Sequence, residues 1–290
     1  MAGLVRGQPR QVLTGTQRLA VWGDPIDHSR SPQLHAAAYR VLGLEWQYGR
    51  RRVSEAEFAV AVASLDGTWR GLSVTMPLKA EAHAAAAVRD GRAELSGAVN
   101  TLLLHPDGLR GFNTDIGGIV RSLAEQGVDT VEQARIVGAG ATATSALVAL
   151  GELGARQVEV VARRPAAVAP LQTLGERLGV RVVPVPFSAI RDEAVTVTIA
   201  TLPGDAPVPD AAADVLAGAG GLLLDVVYGH WPTALASAWG RAGHPAVSGL
   251  GMLLHQALLQ VRIFTSGDPD VPVDDESAVL AAMREAIMGD

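Results

Sequence analysis

Short apolar runs alternate with longer amphipathic segments from Leu19 onward. The pattern predicts strands over 19–22, 46–53 and 71–74, and helices over 32–42 and 55–65. Alternation of this kind is typical of consecutive βα units, and it favours a largely parallel sheet. The alanine-rich stretch over 82–88 predicts one more helix.

A second series of strand-length apolar runs begins near residue 131. Its predicted strands lie over 134–137, 158–162, 182–185, 195–201 and 222–226, with helix-length segments between them. The join between the two series falls in a predicted helix over 115–127. The chain is therefore expected to be an α/β protein with two units. The helices from Leu250 onward are compatible with either unit.

Length and charge agree with this organisation. At 290 residues, and at roughly 150 residues per domain, the chain is long enough for about two domains. A net charge of -6 and the lack of a basic block argue against nucleic-acid binding, because phosphates need clustered cations. No apolar run reaches the roughly 18 residues of a membrane span. Residues 1–17 lack a continuous apolar segment and are expected to form a loose extension.

The chain has no cysteine. Disulfides, thiolate metal sites and thiol catalysis are therefore excluded, and a reducing, cytoplasmic location is expected. The seven histidines are scattered along the sequence. His28 and His35 are able to share a face, but no carboxylate joins them at metal-ligand spacing, so we expect no metal site.

A glycine-containing turn stands between the strand that ends at Val137 and a helix-forming run. It has the form G-x-G-x-x-A, in which Gly138 permits a tight turn and Gly140 lets the backbone approach a pyrophosphate. Ala143 keeps the helix close to the sheet. The same letters also occur in glycine-rich turns that bind nothing. Because this turn lies inside a βαβ unit, we predict a dinucleotide-binding loop.

The end of the next strand indicates which dinucleotide is bound. NAD-binding proteins place an acidic residue there, which accepts a hydrogen bond from the ribose 2′-hydroxyl. This chain instead has Arg163 and Arg164. Two guanidinium groups are able to pair with a 2′-phosphate, which favours NADP. The alternative is that both arginines are simply solvated.

Lys79 and Asp115 lie in two short polar motifs, Ser73–Lys79 and Asn113–Asp115. Hydride transfer to a ketone leaves negative charge on oxygen, so a nearby group has to supply a proton. A lysine ammonium suits that role, and an aspartate carboxylate would orient it. The alternatives are a surface ion pair and a lysine that merely starts a helix after Pro77. The spacing leaves these interpretations open.

Six short motifs occur in the chain in a characteristic order. They are Gly23–Pro32 with its Ser-x-Ser pair, Val74–Lys79, Gly97–Thr101, Asn113–Asp115, Asp225–Tyr228 and Gly249–Gln256. With these motifs the chain resembles the shikimate dehydrogenase family over nearly its whole length. The resemblance implies NADPH-dependent reduction of 3-dehydroshikimate to shikimate, a reversible ketone-to-alcohol step of aromatic amino-acid (chorismate) biosynthesis.

The resemblance also implies roles for individual residues. Lys79 and Asp115 are the implied acid–base pair. The implied substrate residues are Ser29, Ser31 and Tyr228 at the carboxylate, and Thr75, Asn100 and Gln256 at the ring hydroxyls. The expected cofactor residues are Gly138, Ala139, Gly140, Ala141, Arg163, Arg164, Thr201, Val226, Gly249 and Met252. Of these, Gly249 and Met252 would lie against the nicotinamide.

Several of these residues have simpler interpretations when each is taken alone. Ser29 and Ser31 are typical of a helix N-cap. Tyr228 and Met252 are typical packing residues. Gln256 points more clearly to a ligand, because a buried amide needs hydrogen-bonding partners and a ligand hydroxyl supplies one.

The resemblance further implies which residues form the substrate-binding domain and which form the cofactor-binding domain. Residues 1–115 and 250–290 are expected to form the substrate-binding catalytic domain, and residues 116–249 a Rossmann-type NADP-binding domain. The C-terminal helices would then return to the N-terminal unit, with the active site in the cleft between the domains. The expected partner is a small-molecule substrate, shikimate or 3-dehydroshikimate, bound by a monomer or a homodimer.

The chain departs from the usual family pattern at several places, including Ile199 and Asp205 beside the retained Thr201. Ser73 stands where asparagine is common, Ala141 where the second glycine of a pair is common, and Ala162–Arg164 where Asn-Arg-Thr is common. Two alternatives stay open, namely dehydrogenation of quinate or another ring analogue, and a dinucleotide-binding regulatory protein without turnover. Retention of Lys79 and Asp115 argues against the regulatory protein, because a binding module has no need of a proton donor.

Overall fold

The computed structural model describes residues 16–229 and 231–288, so the predicted N-terminal extension lies almost entirely outside the described residues. Within these ranges the chain forms two six-stranded sheets, and helices pack against both. This arrangement confirms the α/β class and the two series of strands. None of the helices in the described part is both long and apolar enough to cross a membrane.

The first sheet is mixed rather than largely parallel. It consists of β1 (Arg18–Gly23), β2 (Gln47–Arg52), β3 (Trp69–Val74), β4 (Val88–Arg89), β5 (Thr101–His105) and β6 (Gly108–Phe112). The spatial order is β2-β1-β3-β5-β6-β4, and β5 runs antiparallel to both of its neighbours. The expectation of a largely parallel sheet is therefore wrong for this half of the chain.

A hairpin causes this difference. β5 and β6 are joined through Pro106 and Asp107, and Gly108 follows with a φ of 117°, a backbone conformation that glycine adopts without strain. The Pro-Asp-Gly sequence is a turn signal. This turn sequence therefore predicts a hairpin, although the apolar pattern alone does not.

Five helices accompany the first sheet. They are α1 (Ser31–Val41), α2 (Glu55–Ala63), α3 (Lys79–Ala85), α4 (Gly91–Ser96) and α5 (Thr114–Ala124). The helix predicted over 82–88 in fact begins at Lys79 and ends at Ala85, because the chain then enters β4. The helix predicted over 115–127 is α5, which ends at Ala124.

The second sheet is entirely parallel. Its strands are β7 (Gln133–Val137), β8 (Gln157–Val161), β9 (Arg181–Val185), β10 (Val197–Ala200), β11 (Leu222–Asp225) and β12 (Ala246–Ser248). Its helices are α6 (Ala141–Glu152), α7 (Ala169–Leu178), α8 (Asp210–Gly218) and α9 (Ala234–Ala242). The order β12-β11-β10-β7-β8-β9 is that of a doubly wound dinucleotide fold, which places ligands at the carboxyl ends of the strands.

The two C-terminal helices return to the first sheet, as the resemblance implied. α10 (Leu250–Ser266) and α11 (Glu276–Met288) share a buried core with β1 and α1, in which Leu258 and Met283 pack with Leu19 and Leu34. A separate core on the other face of the sheet is centred on Trp22. Apolar burial in the first of these cores therefore holds the C-terminal helices to the N-terminal unit.

α5 and α10 cross at very short range because glycines line the crossing. A Cβ atom on Gly118 would lie 2.8 Å from the carbonyl oxygen of Met252 and 2.9 Å from Cβ of Gln256. A Cβ atom on Gly251 would lie 2.7 Å from the Ser122 hydroxyl. Close packing of this kind fixes the two helices against each other. It therefore fixes the first turn of α5 relative to the middle of α10.

Candidate active site

Polar residues of the first unit converge at one edge of its sheet. Thr75 follows β3, Asn100 precedes β5 and Asn113 follows β6. Because β5 runs antiparallel to β3 and β6, its first residue lies at the same edge as their last residues, and Thr101 is paired with Ser73. The hairpin therefore brings together three motifs that are separated in the sequence.

Lys79 and Asp115 form an ion pair at this edge. Lys79 is the first residue of α3 and Asp115 lies in the first turn of α5, and Nζ of the lysine lies 2.5 Å from Oδ2 of the aspartate. The side chains are 15% and 8% exposed, so the interpretation as a surface ion pair is wrong. Lys79 does start a helix, but it also faces a buried carboxylate. The two charged groups are therefore paired and largely shielded from water, and their role in proton transfer stays a prediction.

Asn100 and Asn113 hold Asp115 in place. Asn100 Nδ2 donates to Oδ1 of Asp115 at 2.8 Å and to the Thr114 hydroxyl at 2.9 Å. Asn113 is the N-cap of α5, and its side chain accepts from the backbone N–H of Asp115 at 3.1 Å. A helix N-terminus also stabilises negative charge. Asn100 therefore orients Asp115 directly, and its contact with a ring hydroxyl stays a prediction.

The residues expected at the substrate carboxylate come from both units. Neither serine is at the N-cap position of α1, which is Arg30, but the Ser29 hydroxyl accepts from the backbone N–H of Ser31, the first residue of the helix, at 3.4 Å. The Ser29 hydroxyl lies 3.3 Å from that of Ser31. Tyr228 follows β11; burial raises its pKa, and the charge of Arg30 opposes that rise. All three side chains are therefore hydroxyl donors at neutral pH.

Two residues of α10 lie beside α5. Gln256 is buried; its Nε2 donates to the carbonyl oxygen of Leu253 at 2.9 Å, and its Oε1 lies 3.5 Å from the Thr114 hydroxyl. Met252 is 8% exposed and packs in the core of the second unit with Ile116. The packing interpretation of Met252 is therefore confirmed, while its contact with the nicotinamide stays a prediction.

The loop after β7 has the geometry of a dinucleotide cradle. Gly138 has a φ of 117°, and a Cβ atom there would lie 2.5 Å from the Thr201 hydroxyl. Gly140 is different, because it has a φ of -94° and a Cβ atom there would meet no protein atom within 4 Å. The fold therefore requires glycine at 138, whereas glycine at 140 leaves room for a ligand. α6 has no side-chain cap, so the first N–H groups of the helix are available to a pyrophosphate.

The other expected cofactor residues line the same edge of the second sheet. Each follows the carboxyl end of a strand, and the members are Ala139, Ala141, Arg163, Arg164, Thr201, Val226 and Gly249. Arg163 and Arg164 are exposed. A Cβ atom on Gly249 would lie 2.1 Å from the carbonyl oxygen of Val226, so these two backbones are in direct contact. This donor set fits a dinucleotide that carries an extra phosphate.

Comparison with known proteins agrees with this geometry. A family model described as the shikimate dehydrogenase substrate binding domain matches residues 21–102. A shikimate dehydrogenase (NADP(+)) of Rubrobacter xylanophilus is 34% identical in an alignment of 285 residues that covers 95% of this chain and 96% of that protein. The chain belongs to the shikimate dehydrogenase family.

Solved structures of the family have the same fold. The crystal structure of Mycobacterium tuberculosis shikimate dehydrogenase is 41% identical, with a TM-score of 0.79, and covers 92% of this chain and 98% of that one. A Thermus thermophilus shikimate 5-dehydrogenase in complex with NADP(H) and shikimate is 29% identical, with a TM-score of 0.77, over 93% and 99% of the chains. The substrate unit and Rossmann-type unit expected from the sequence are therefore confirmed.

Sequence analysis missed two residues that surround Ser73 in this family member. The Tyr48 hydroxyl donates to the Ser73 hydroxyl at 2.6 Å, and the Ser73 hydroxyl donates to Oε1 of Gln260 at 2.7 Å. Gln260 Nε2 in turn donates to the Thr101 hydroxyl at 3.0 Å. Gln260 lies one helical turn after Gln256, and this i, i+4 spacing was the available signal. Serine at 73 is therefore held between two longer polar side chains.

His35 lies behind this pair of contacts. Its ring stacks on Tyr48 with centroids 4.0 Å apart, Nδ1 lies 3.1 Å from the Tyr39 hydroxyl and Nε2 lies 3.2 Å from Oε1 of Gln260. An amide oxygen only accepts, so Nε2 carries the proton and Nδ1 accepts from Tyr39. Burial lowers the pKa of His35 to about 3, so the ring is neutral in the folded protein. His28, in contrast, is exposed.

Neutral His35 predicts a loss of stability in mild acid. In the unfolded chain the ring binds a proton near its ordinary pKa of 6.5, whereas the folded protein does not until about pH 3. The contribution of His35 is therefore undiminished above pH 6.5 and falls as the pH decreases toward 3. Between pH 6.5 and about pH 5, the unfolding free energy should fall by roughly 2 kcal/mol more than in His35→Gln. Urea unfolding across this range measures the difference, and parallel curves would contradict it.

Proposed function

We propose that this protein is an NADP-dependent shikimate dehydrogenase, which reversibly reduces 3-dehydroshikimate to shikimate. The observation that carries the proposal is the buried pair of Lys79 and Asp115, with Nζ and Oδ2 2.5 Å apart, in a chain that also has a dinucleotide loop. Its relatives that are shikimate dehydrogenases (NADP(+)) support the same reaction. Such an enzyme serves aromatic amino-acid biosynthesis and is expected in the cytoplasm.

The protein supplies the proton for this reaction. NADPH, when bound, supplies the hydride that adds to the carbonyl carbon. The Lys79 ammonium donates a proton to the carbonyl oxygen, and Asp115 holds that ammonium in place. In the direction of oxidation the neutral amine takes the hydroxyl proton back. Because Asn100 holds the other carboxylate oxygen, Asp115 is not free to rotate away from the lysine.

The substrate residues have complementary chemistry. Ser29, Ser31 and Tyr228 would donate hydroxyl hydrogens to the carboxylate of the substrate. Thr75 and Gln256 would read the ring hydroxyls, together with Asn100. All are neutral side chains, which suits a small polyhydroxylated acid, since hydroxyl and amide groups both donate and accept hydrogen bonds.

The cofactor residues favour NADP over NAD. The N–H groups at the start of α6 would hold the pyrophosphate, and Gly140 would leave space for it. Arg163 and Arg164 follow β8, where an acidic residue would otherwise bind the ribose hydroxyl. Their charges would pair with the 2′-phosphate. Val226, Gly249 and Met252 would flank the nicotinamide.

The division into domains follows from these assignments. Residues 1–115 and 250–290 would bind the substrate, and residues 116–249 the cofactor. The described chain provides all the residues assigned here, so a monomer would be sufficient for activity, and a homodimer of two such sites is also compatible with the proposal.

One observation favours quinate, or another ring analogue, as a second candidate substrate. Ser73 stands where the family commonly has asparagine, and its hydroxyl is held by Tyr48 and Gln260. A serine is shorter than an asparagine, so the pocket at this point differs in depth and in hydrogen-bonding groups. A substrate with an additional ring hydroxyl would use such a difference.

Steady-state oxidation of shikimate and quinate, each with NADP and with NAD, tests these proposals. We expect a strong preference for shikimate with NADP, measured by the absorbance of the reduced cofactor. A preference for quinate would transfer the assignment to the second candidate, and a preference for NAD would contradict the role of the two arginines. Lack of turnover with all four pairs would refute the proposed function and favour a regulatory protein.

A further inference from the structure

The side chain of Asn113 joins the proton-transfer pair to the helix that follows the dinucleotide loop. Its Oδ1 accepts from the backbone N–H of Asp115 at 3.1 Å. Its Nδ2 donates to the Ser145 hydroxyl at 3.1 Å and to the Ser96 hydroxyl at 2.9 Å. Asn113 and Ser145 are each 1% exposed. Bulk water therefore does not replace the bond between them, and losing it leaves a buried donor with one partner fewer.

The bond between Asn113 and Ser145 connects the two units. Asn113 precedes α5 at the edge of the first sheet, whereas Ser145 lies in the second turn of α6. α6 begins directly after Gly140, so its N-terminus is the proposed pyrophosphate site. A single buried amide thus contacts the helix that carries Asp115 and the helix that would carry the cofactor.

α6 is attached to the first unit at its other end as well. Glu152 is the last residue of α6, and Arg92 of α4 contacts both of its carboxylate oxygens, with Nε at 2.8 Å and Nη2 at 2.6 Å. These two attachments link both ends of α6 to the first unit. The position of the loop at Gly140 is therefore tied to the position of Asp115.

We propose that Asn113 and Ser145 are positioning residues that set the separation between the Lys79–Asp115 pair and the nicotinamide of a cofactor held at the start of α6. The inference rests on the proposed function and adds to it a built-in link between the proton-transfer site and the hydride-transfer site. Neither residue touches the reacting atoms. They act through geometry, and a small misplacement of reacting groups slows a transfer step strongly.

Two serine variants distinguish positioning through α6 from a role in which the serine only accepts a hydrogen bond from the Asn113 amide. Ser145→Ala and Ser96→Ala each remove one acceptor of the same Asn113 amide, but only Ser145 belongs to α6. We expect Ser145→Ala to lower kcat by about 10-fold to 10²-fold, with NADP affinity by calorimetry changed less than about 3-fold. Ser96→Ala should change kcat by less than about 3-fold. Thermal unfolding of each variant checks that the assays use folded protein.

Two further readouts test the geometric origin of the effect. If hydride transfer becomes slower, it limits the rate, so the isotope effect on kcat with shikimate deuterated at the oxidised carbon should rise in Ser145→Ala. The double variant Asn113→Ala/Ser145→Ala should be no slower than Asn113→Ala, because both changes remove the same bond. Ser145→Cys keeps the volume but is a weak acceptor, and it replaces Ser145→Ala if that variant does not fold.

The outcomes distinguish this inference from the proposed function. Equal losses of kcat in Ser145→Ala and Ser96→Ala would overturn the coupling through α6, because either acceptor would then be equally important. An unchanged kcat and an unchanged isotope effect in Ser145→Ala would overturn it as well. Absence of turnover in the unmodified protein would instead refute the proposed function itself.

Discussion

Replacing Lys79 by alanine is expected to lower kcat for shikimate oxidation by about 10²-fold to 10⁴-fold, the range typical for loss of an acid–base group. Nζ lies 2.5 Å from the Asp115 carboxylate and the side chain is 15% exposed, so bulk water is a poor substitute for it. Steady-state kinetics at saturating NADP measures the change, and calorimetry measures whether shikimate still binds.

The matched control is Lys79→Arg. A guanidinium keeps a cation beside Asp115, but it does not release its proton in proteins. This variant should therefore fold as stably as the unmodified protein and still lose kcat, whereas Lys79→Ala should also lose stability because a buried carboxylate is left without its partner. Near-normal kcat in Lys79→Arg would show that the site needs only positive charge. Unaltered turnover in Lys79→Ala would remove the lysine from the mechanism.

The second large effect concerns two glycines of one motif, Gly138 and Gly140, whose replacement by alanine is expected to have different effects on stability. Gly138→Ala places a Cβ atom at a φ of 117° and 2.5 Å from the Thr201 hydroxyl. It should therefore lower the free energy of unfolding by more than about 2 kcal/mol. Gly140→Ala meets no protein atom within 4 Å, so stability should change by less than about 1 kcal/mol.

Ligand binding should respond to Gly140→Ala instead. The added methyl group occupies the space that the pyrophosphate needs, so the affinity for NADP should fall by about 10-fold or more. Urea unfolding without ligand and calorimetric titration with NADP measure the two quantities independently. If Gly140→Ala binds NADP as tightly as the unmodified protein, the loop at Gly140 is not the pyrophosphate site.

The second half of the fold was the easier half to predict from sequence. Strands of a parallel sheet are largely buried, so β7, β8 and β9 appear in the sequence as short, mostly apolar runs, and their predicted bounds lie within one residue of the observed ones. The G-x-G-x-x-A loop lies between β7 and α6 as predicted. Local patterns predict most of this sheet because four of its five strand pairs join consecutive strands, the exception being β10 with β7.

The first sheet was harder because its decisive feature is the direction of a short strand. β5 and β6 are only partly buried, and their apolar pattern does not distinguish a hairpin from two parallel strands. The strand direction nevertheless decides the site. It brings Asn100 to the same edge as Thr75 and Asn113, and Asn100 then orients Asp115.

The sequence allowed prediction of those candidate site residues that belong to short motifs of neighbouring residues. Lys79, Asp115 and the glycines of the loop at Gly138 belong to this group. Tyr48, Gln260 and the bond from Asn113 to Ser145 do not, because their partners lie in distant segments. The contacts of Gln260 and Ser145 depend on how α10 and α6 pack on the first unit, and the Tyr48 contact depends on the positions of β2 and β3 in the sheet. Short sequence patterns specify strands, turns and reactive groups, whereas the distance between two reactive groups is set by how whole helices and sheets pack.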